Sequence, residues 1–225
     1  DAISLYHRGV ERSNNEDFDD AIEDFSEAIR IYPEYAEAFN YRGFILSNAG
    51  DYDRAIADLN EAIRLNPRFD EAFANRGIAW SKNGDDDRAM ADFNEDIRIA
   101  PQVAVHFSNR AIVWSNLGDD DKAISDYNEG VRLNPQGAIS LYNRGNYWHD
   151  KGDEDKAIAD YDEAIRLNPQ YSAAFNNRGN AWLRKGDNDR AIADYNESIR
   201  ISPHDSSAFI NRANAWNKKG EIDKV

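Results

Sequence analysis

The stretch Ala173–Pro203, AAFNNRGNAWLRKGDNDRAIADYNESIRISP, reads as two short helices joined by a tight turn. Phe175, Gly179 and Trp182 recur at i, i+4 and i+7, which puts them on one face of a helix. Ala191, Tyr195, Ser198 and Ile199 mark one face of a second helix in the same way. Gly186 between them suits a left-handed helix end, and Asp187 suits the positive start of the next helix. Arg200 sits favourably near the last carbonyls of the second helix, and Pro203 stops it.

The same punctuation extends outward over the chain. All six prolines fall 34 residues apart, at Pro33, Pro67, Pro101, Pro135, Pro169 and Pro203. The five tryptophans, Trp80, Trp114, Trp148, Trp182 and Trp216, keep the same spacing. Eleven of the thirteen glycines occupy two repeat positions, one shared by Gly9, Gly43, Gly77, Gly145 and Gly179, the other by Gly50, Gly84, Gly118, Gly152, Gly186 and Gly220. A fixed period of this length marks a stacked array in which each unit contacts mainly its neighbours. Repeats are numbered here 1 to 34 from Ala2, Ala36, Asp70, Ala104, Ala138, Ser172 and Ser206. Positions 4, 8 and 11 form the apolar stripe of the first helix, and positions 20, 24, 27 and 28 that of the second.

These motifs resemble the tetratricopeptide repeat family, whose pattern is W/F-x2-L-G-x2-Y, then A-x3-F/Y-x2-A, then P. The resemblance covers the whole chain as a single array: six full repeats (2–35, 36–69, 70–103, 104–137, 138–171, 172–205) and the first helix of a truncated seventh (206–225). It implies an all-α fold, a right-handed α-solenoid or superhelix of stacked antiparallel helix pairs. The segment Gly220–Val225 matches the turn and opening of a second helix, so the seventh repeat is expected to be a piece of a longer protein, in which case Phe209 and Trp216 lose cover here; the alternative is that its first helix serves as the terminal cap.

One departure from the family is systematic. Position 7, usually leucine, is always arginine, and position 23 on the matching flank of the second helix is always aspartate. Opposite charges on adjoining flanks point to a structural ion-pair ladder rather than a row of anion sites. Glu at 26 and Arg at 29 are an ordinary solvated helix pair. Asp96 breaks the frame at position 27, where small residues are usual and no partner follows from spacing; Gly130 and Gly137 break it around the junction of repeats 4 and 5.

Catalytic chemistry finds no foothold. His7, His106, His149 and His204 fall at four different repeat positions with no i, i+4 pair, and Asp85, Asp86 and Asp87 lack the spacing of an EF-hand and read as helix-start caps. There is no cysteine, hence no thiolate site or disulfide. The expectation is a protein that is not an enzyme and has no metal or cofactor. With 42 acidic against 27 basic residues the net charge is −15, which disfavours phosphate backbones and anionic lipid, and no apolar run is long enough to span a membrane.

Positions 2, 6, 9 and 13 of the first helix lie opposite its apolar stripe, with 5 and 12 beside them. In stacked members of the family these resemble the concave wall on which extended peptides lie. Position 6 is Asn75, Asn109, Asn143, Asn177 and Asn211 in five successive repeats, joined at position 9 by Asn146, Asn180 and Asn214. Asparagine is a poor helix former, and its amide offers donors and an acceptor to a peptide backbone. The row is similar to asparagine ladders with which some family members hold peptide main chain; the alternative is that it keeps a groove polar or bonds adjacent repeats. Early repeats add Tyr6, Tyr41, Phe44, Ile78 and Ile112, an apolar lining, and late ones add Arg184 and Lys218 at position 13. No Lys or Arg stands at positions 2, 5, 6 or 9, so the family's carboxylate clamp is missing. The leading expectation is a scaffold binding an extended peptide or flexible protein segment, with neither nucleic acid nor membrane as partner. Its rivals are self-association through the uncapped seventh helix and service as a targeting appendage of a larger protein.

Overall fold

Asp51, Asp85, Asp153 and Asp187 each accept a hydrogen bond from the backbone N–H three residues on, at 3.0–3.3 Å, capping the second helix of their repeats. The glycine before each has φ between +80° and +85°, the left-handed conformation that ends the first helix. Repeat 1 has Glu16 at the equivalent place, with φ +65°. These local stops cut the chain into helices of 13 or 14 residues, as seen in a computed structural model that describes residues 1–220.

The first helices of the repeats are α1 (Ala2–Asn14), α3 (Ala36–Asn48), α5 (Asp70–Lys82), α7 (Ala104–Asn116), α9 (Ala138–Asp150), α11 (Ser172–Arg184) and α13 (Ser206–Lys219). The second helices are α2 (Phe18–Ile31), α4 (Tyr52–Leu65), α6 (Asp86–Ile99), α8 (Asp120–Leu133), α10 (Glu154–Leu167) and α12 (Asn188–Ile201). No strand occurs among the described residues. The expected opening of a further helix beyond Gly220 lies outside them. No helix among the described residues is long and apolar enough to cross a membrane.

The helices form two compact units, Asp1–Ala123 and a second beginning at Ile124, the boundary falling inside α8. In the first unit, helices from α1 to α7 pack each on the next, and α3, α5 and α7 also touch one another in sequence. In the second, α9 to α13 do the same, with α9, α11 and α13 forming the row of first helices. Close approach within a pair needs a residue without a side chain. A Cβ added at Gly179 would lie 2.7 Å from the Tyr195 ring, and one at Gly77 would lie 2.8 Å from the Phe93 ring.

The buried stripe of the first helix differs from the one read from spacing. Positions 3, 8 and 10, as in Ala174, Gly179 and Ala181, are buried, whereas the aromatics at 4 and 11 are mostly half-covered. Cations roof those aromatics. Arg42, Arg76 and Arg178 lie 5.4–5.7 Å from the ring centroids of Phe39, Phe73 and Phe175, and Arg88 and Lys156 lie 3.8 and 4.2 Å from those of Trp80 and Trp148. Spacing locates an apolar stripe but not the long cationic stems that shield its edge.

The position-7 arginines hold the stack together. In repeats 1, 2, 3, 5 and 6 the guanidinium makes a two-pronged contact with the position-23 aspartate: Arg8–Asp24, Arg42–Asp58, Arg76–Asp92, Arg144–Asp160 and Arg178–Asp194. The remaining Nη1 reaches back to position 25 of the preceding repeat, to Ser26, Asn60, Asn94, Asn128, Asp162 and Asn196 from Arg42 through Arg212. One side chain therefore ties both helices of its repeat to the helix before.

Candidate functional site

The residues expected at the site have different surroundings in the two units. In the first, α3, α5 and α7 turn their inner positions toward a common cavity of about 420 Å³. Tyr41, Phe44, Asn75, Ile78 and Asn109 all line it. Ile112, expected beside them, lines a smaller pocket of about 150 Å³ that shares Ile78 and Asn109. Phe44, Val105 and Ile112 are 40%, 44% and 45% exposed, so apolar surface is left open along one face. Asn40, Glu71, Ala74, Val105 and His106 also line the cavity and were not among the expected residues. The first four occupy positions 2 and 5 of the same stripe and were within reach of the periodic reading; His106, at position 3, was not.

The asparagines are engaged between repeats. Asn75 Nδ2 donates to Asn40 Oδ1 at 2.9 Å, and Asn211 Nδ2 donates to Asn176 Oδ1 at 3.1 Å, each linking one first helix to the one before. In the second unit Asn177 Nδ2 donates to Asn146 Oδ1 at 2.8 Å and to Tyr142 Oη at 3.0 Å. Tyr161 Oη also donates to Asn146 Oδ1, and Tyr195 Oη donates to Asn180 Oδ1, both at 2.8 Å. Asn143 is half-buried on the same row, and Asn214 and Lys218 are exposed on α13. Arg184, expected as a basic contact, donates from Nη1 to the His149 carbonyl at 2.7 Å and to Glu154 Oε1 at 3.1 Å. Its charge is already partly matched. Asn75, Asn177 and Asn211 thus bond adjacent repeats, while Asn146 and Asn180 also accept from a tyrosine of their own repeat.

A second cluster was not legible in the sequence. Asp96, which had no evident partner, is fully buried and lies 3.0 Å from Nδ1 of buried His106. The contact lacks hydrogen-bond geometry, so both Asp96 carboxyl oxygens and His106 Nδ1 stand without a hydrogen-bond partner. Donor atoms of Asp70, Asp96 and His106 all lie within 4.8 Å of one another. Burial pushes the Asp96 carboxyl up to about 8, and the charges of Asp70 and Asp92 act in the same direction. Burial pushes the His106 imidazole down, against the pull of the Asp70 charge. Spacing within one helix could not reveal this group, because its members come from α5, α6 and α7.

Comparison with known proteins agrees with this architecture. Tetratricopeptide repeat models match residues 36–69, 110–136, 138–171 and 155–206, and a protein prenyltransferase alpha subunit repeat model matches residues 18–49. No curated protein sequence is significantly similar to the chain. Among solved structures, yeast Tom70 is similar over 99% of this chain and 47% of its own, at 22% identity and TM-score 0.82. Cut9 of the APC/C hetero-tetramer Cut9-Hcn1 is similar over 95% of this chain, with 19% identity and TM-score 0.76. The chain spans 42% of the length of that relative. YrrB, described as a TPR protein with an unusual peptide-binding site, is similar over 83% of this chain and 96% of its own, at 21% identity and TM-score 0.53. At these identities the likeness shows the fold, an all-α solenoid that commonly mediates protein–protein interaction. By its 34-residue period, its paired helices and the repeat models it matches, the chain belongs to the tetratricopeptide repeat family.

Proposed function

We propose that this protein is a non-enzymatic scaffold whose inner face binds an extended peptide or a flexible segment of a partner protein. The observation that carries the reading is the open cavity of the first unit, where exposed Phe44 and Val105 stand beside the amides of Asn75 and Asn109. Apolar pockets take alternate side chains of an extended segment, and amides take its main chain. In the second unit Asn143, Asn146, Asn177, Asn180 and Asn211 continue the polar row, with exposed Asn214 and Lys218 as further contacts. A cavity of this volume admits one or two side chains rather than a folded surface. Docking of a flexible segment loses chain entropy, so affinity is modest.

The test is a peptide array followed by calorimetry on the segments it identifies. Phe44→Ala and Ile78→Ala weaken binding by about tenfold each if apolar side chains enter the cavity. Equal binding of every identified segment to wild type and to both variants would remove the cavity from the mechanism.

A further inference from the structure

The Asp70, Asp96 and His106 group stands where three repeat positions meet: position 1, position 27 and position 3 of the following repeat. In repeat 1 these are Ala2, Ala28 and Ala38, packed in one buried cluster. In repeat 5 Ala138, Ala164 and Ala174 pack together in the same way. In every repeat with a complete set other than the third, all three positions are alanine, serine or glycine. Only here are three small packing residues replaced, all at once, by three side chains that ligate metals.

We propose that Asp70, Asp96 and His106 form a binding site for a divalent transition-metal ion, with zinc the best match. Packing does not account for the group, since alanines fill the same space elsewhere in the chain. An aspartate–histidine pair accounts for two of the three replacements and leaves Asp70 unexplained. Both Asp96 oxygens and His106 Nδ1 are buried lone-pair or proton-bearing atoms with no hydrogen-bond partner. A single cation would draw a lone pair from each residue, satisfying His106 Nδ1 and at least one Asp96 oxygen. One imidazole with two carboxylates suits zinc and its first-row neighbours, whereas magnesium and calcium prefer oxygen alone. In a tetrahedral site with bonds of about 2.1 Å the donors stand about 3.4 Å apart, so a group already within 4.8 Å closes by side-chain adjustment. Half-buried Asp70 and the cavity that His106 lines give the ion a route in. Three protein ligands leave a fourth position for water or for a donor group of a bound segment. The ion would also pin α5, α6 and α7 together.

The experiment uses the full chain, stripped with a chelator and titrated with zinc sulfate by calorimetry and with cobalt chloride by visible absorption. One equivalent of zinc should bind saturably, with cobalt giving the d–d bands of a site of low coordination number. A hundredfold excess of zinc over its Kd should raise the melting temperature by about 5 °C. Asp96→Asn and the triple change Asp70→Ala/Asp96→Ala/His106→Ala, which restores the alanine set of repeat 1, should weaken binding by about a hundredfold or more. Circular dichroism checks that each variant is folded; if the triple variant is not, the wild-type cobalt spectrum and Asp96→Asn decide. Absence of a saturable equivalent in wild type overturns the proposal. So does equal titration of wild type and variants, the mark of ions scattered over exposed carboxylates.

Discussion

The guanidinium of Arg144 grips the carboxylate of Asp160 with two hydrogen bonds, from Nε to Oδ2 at 2.8 Å and from Nη2 to Oδ1 at 2.7 Å. Asp160 is buried and Arg144 largely covered, so each charge depends on the other for its solvation. Arg144→Ala or Asp160→Ala alone should cost about 2–4 kcal/mol by leaving one charge buried. The double variant should cost less than the sum, with a coupling of about 1–3 kcal/mol in a denaturation cycle. Additive losses would mean that the contact contributes nothing specific.

Asp24 supplies a pH dependence. The hydrogen bond from Arg8 holds its carboxyl below the ordinary value of 3.8, outweighing burial, and the Arg8 and Arg12 charges assist. A depressed carboxyl contributes stability that is fully present above the unfolded value and is lost as pH falls through the folded one. Asp24→Asn should therefore be less stable than wild type at pH 7, with the gap closing below about pH 4. Urea midpoints at pH 3, 5 and 7 measure this; a gap of constant size contradicts it.

Glu16 occupies a left-handed turn that glycine fills in the later repeats. Its Cβ makes that conformation unfavourable, so Glu16→Gly should stabilise the protein by about 0.5–1 kcal/mol even though it removes a side chain. Gly179→Ala should do the reverse, losing about 1–3 kcal/mol as the new methyl meets the Tyr195 ring. Thermal melts of the two variants with wild type give the comparison.

Asn177 and Asn109 separate stability from binding. Asn177→Ala removes the donor to both Asn146 and Tyr142, and should cost about 1 kcal/mol in the free protein. Asn109 lines both pockets of the first unit; Asn109→Ala should leave the melting temperature within about 2 °C of wild type and weaken peptide binding. A loss of stability as large as that of Asn177→Ala would reassign Asn109 to the scaffold.

The repeat frame, the helix ends and the arginine–aspartate ladder were all readable in the sequence, because each rests on local chemistry repeated every 34 residues. A glycine with positive φ, an aspartate cap and a proline act within a few residues of themselves. Tyr41, Phe44, Asn75, Ile78 and Asn109 come from a helical period, and they meet in one cavity.

What the asparagines bond to was not readable, since Asn177 finds Asn146 and Tyr142 across a repeat boundary at distances no helical period specifies. The same holds for Arg184, whose charge is met by Glu154 from another helix.

The sequence by itself determined the helical pairs, their length and the family, because those follow from short-range capping and a fixed apolar period. Only the tertiary structure decided that Asp70, Asp96 and His106 face one another, since Asp96 and His106 sit in different repeats and the three side chains belong to three helices. A charge at a packing position looks like a defect along the chain; its neighbours exist only once the helices have stacked.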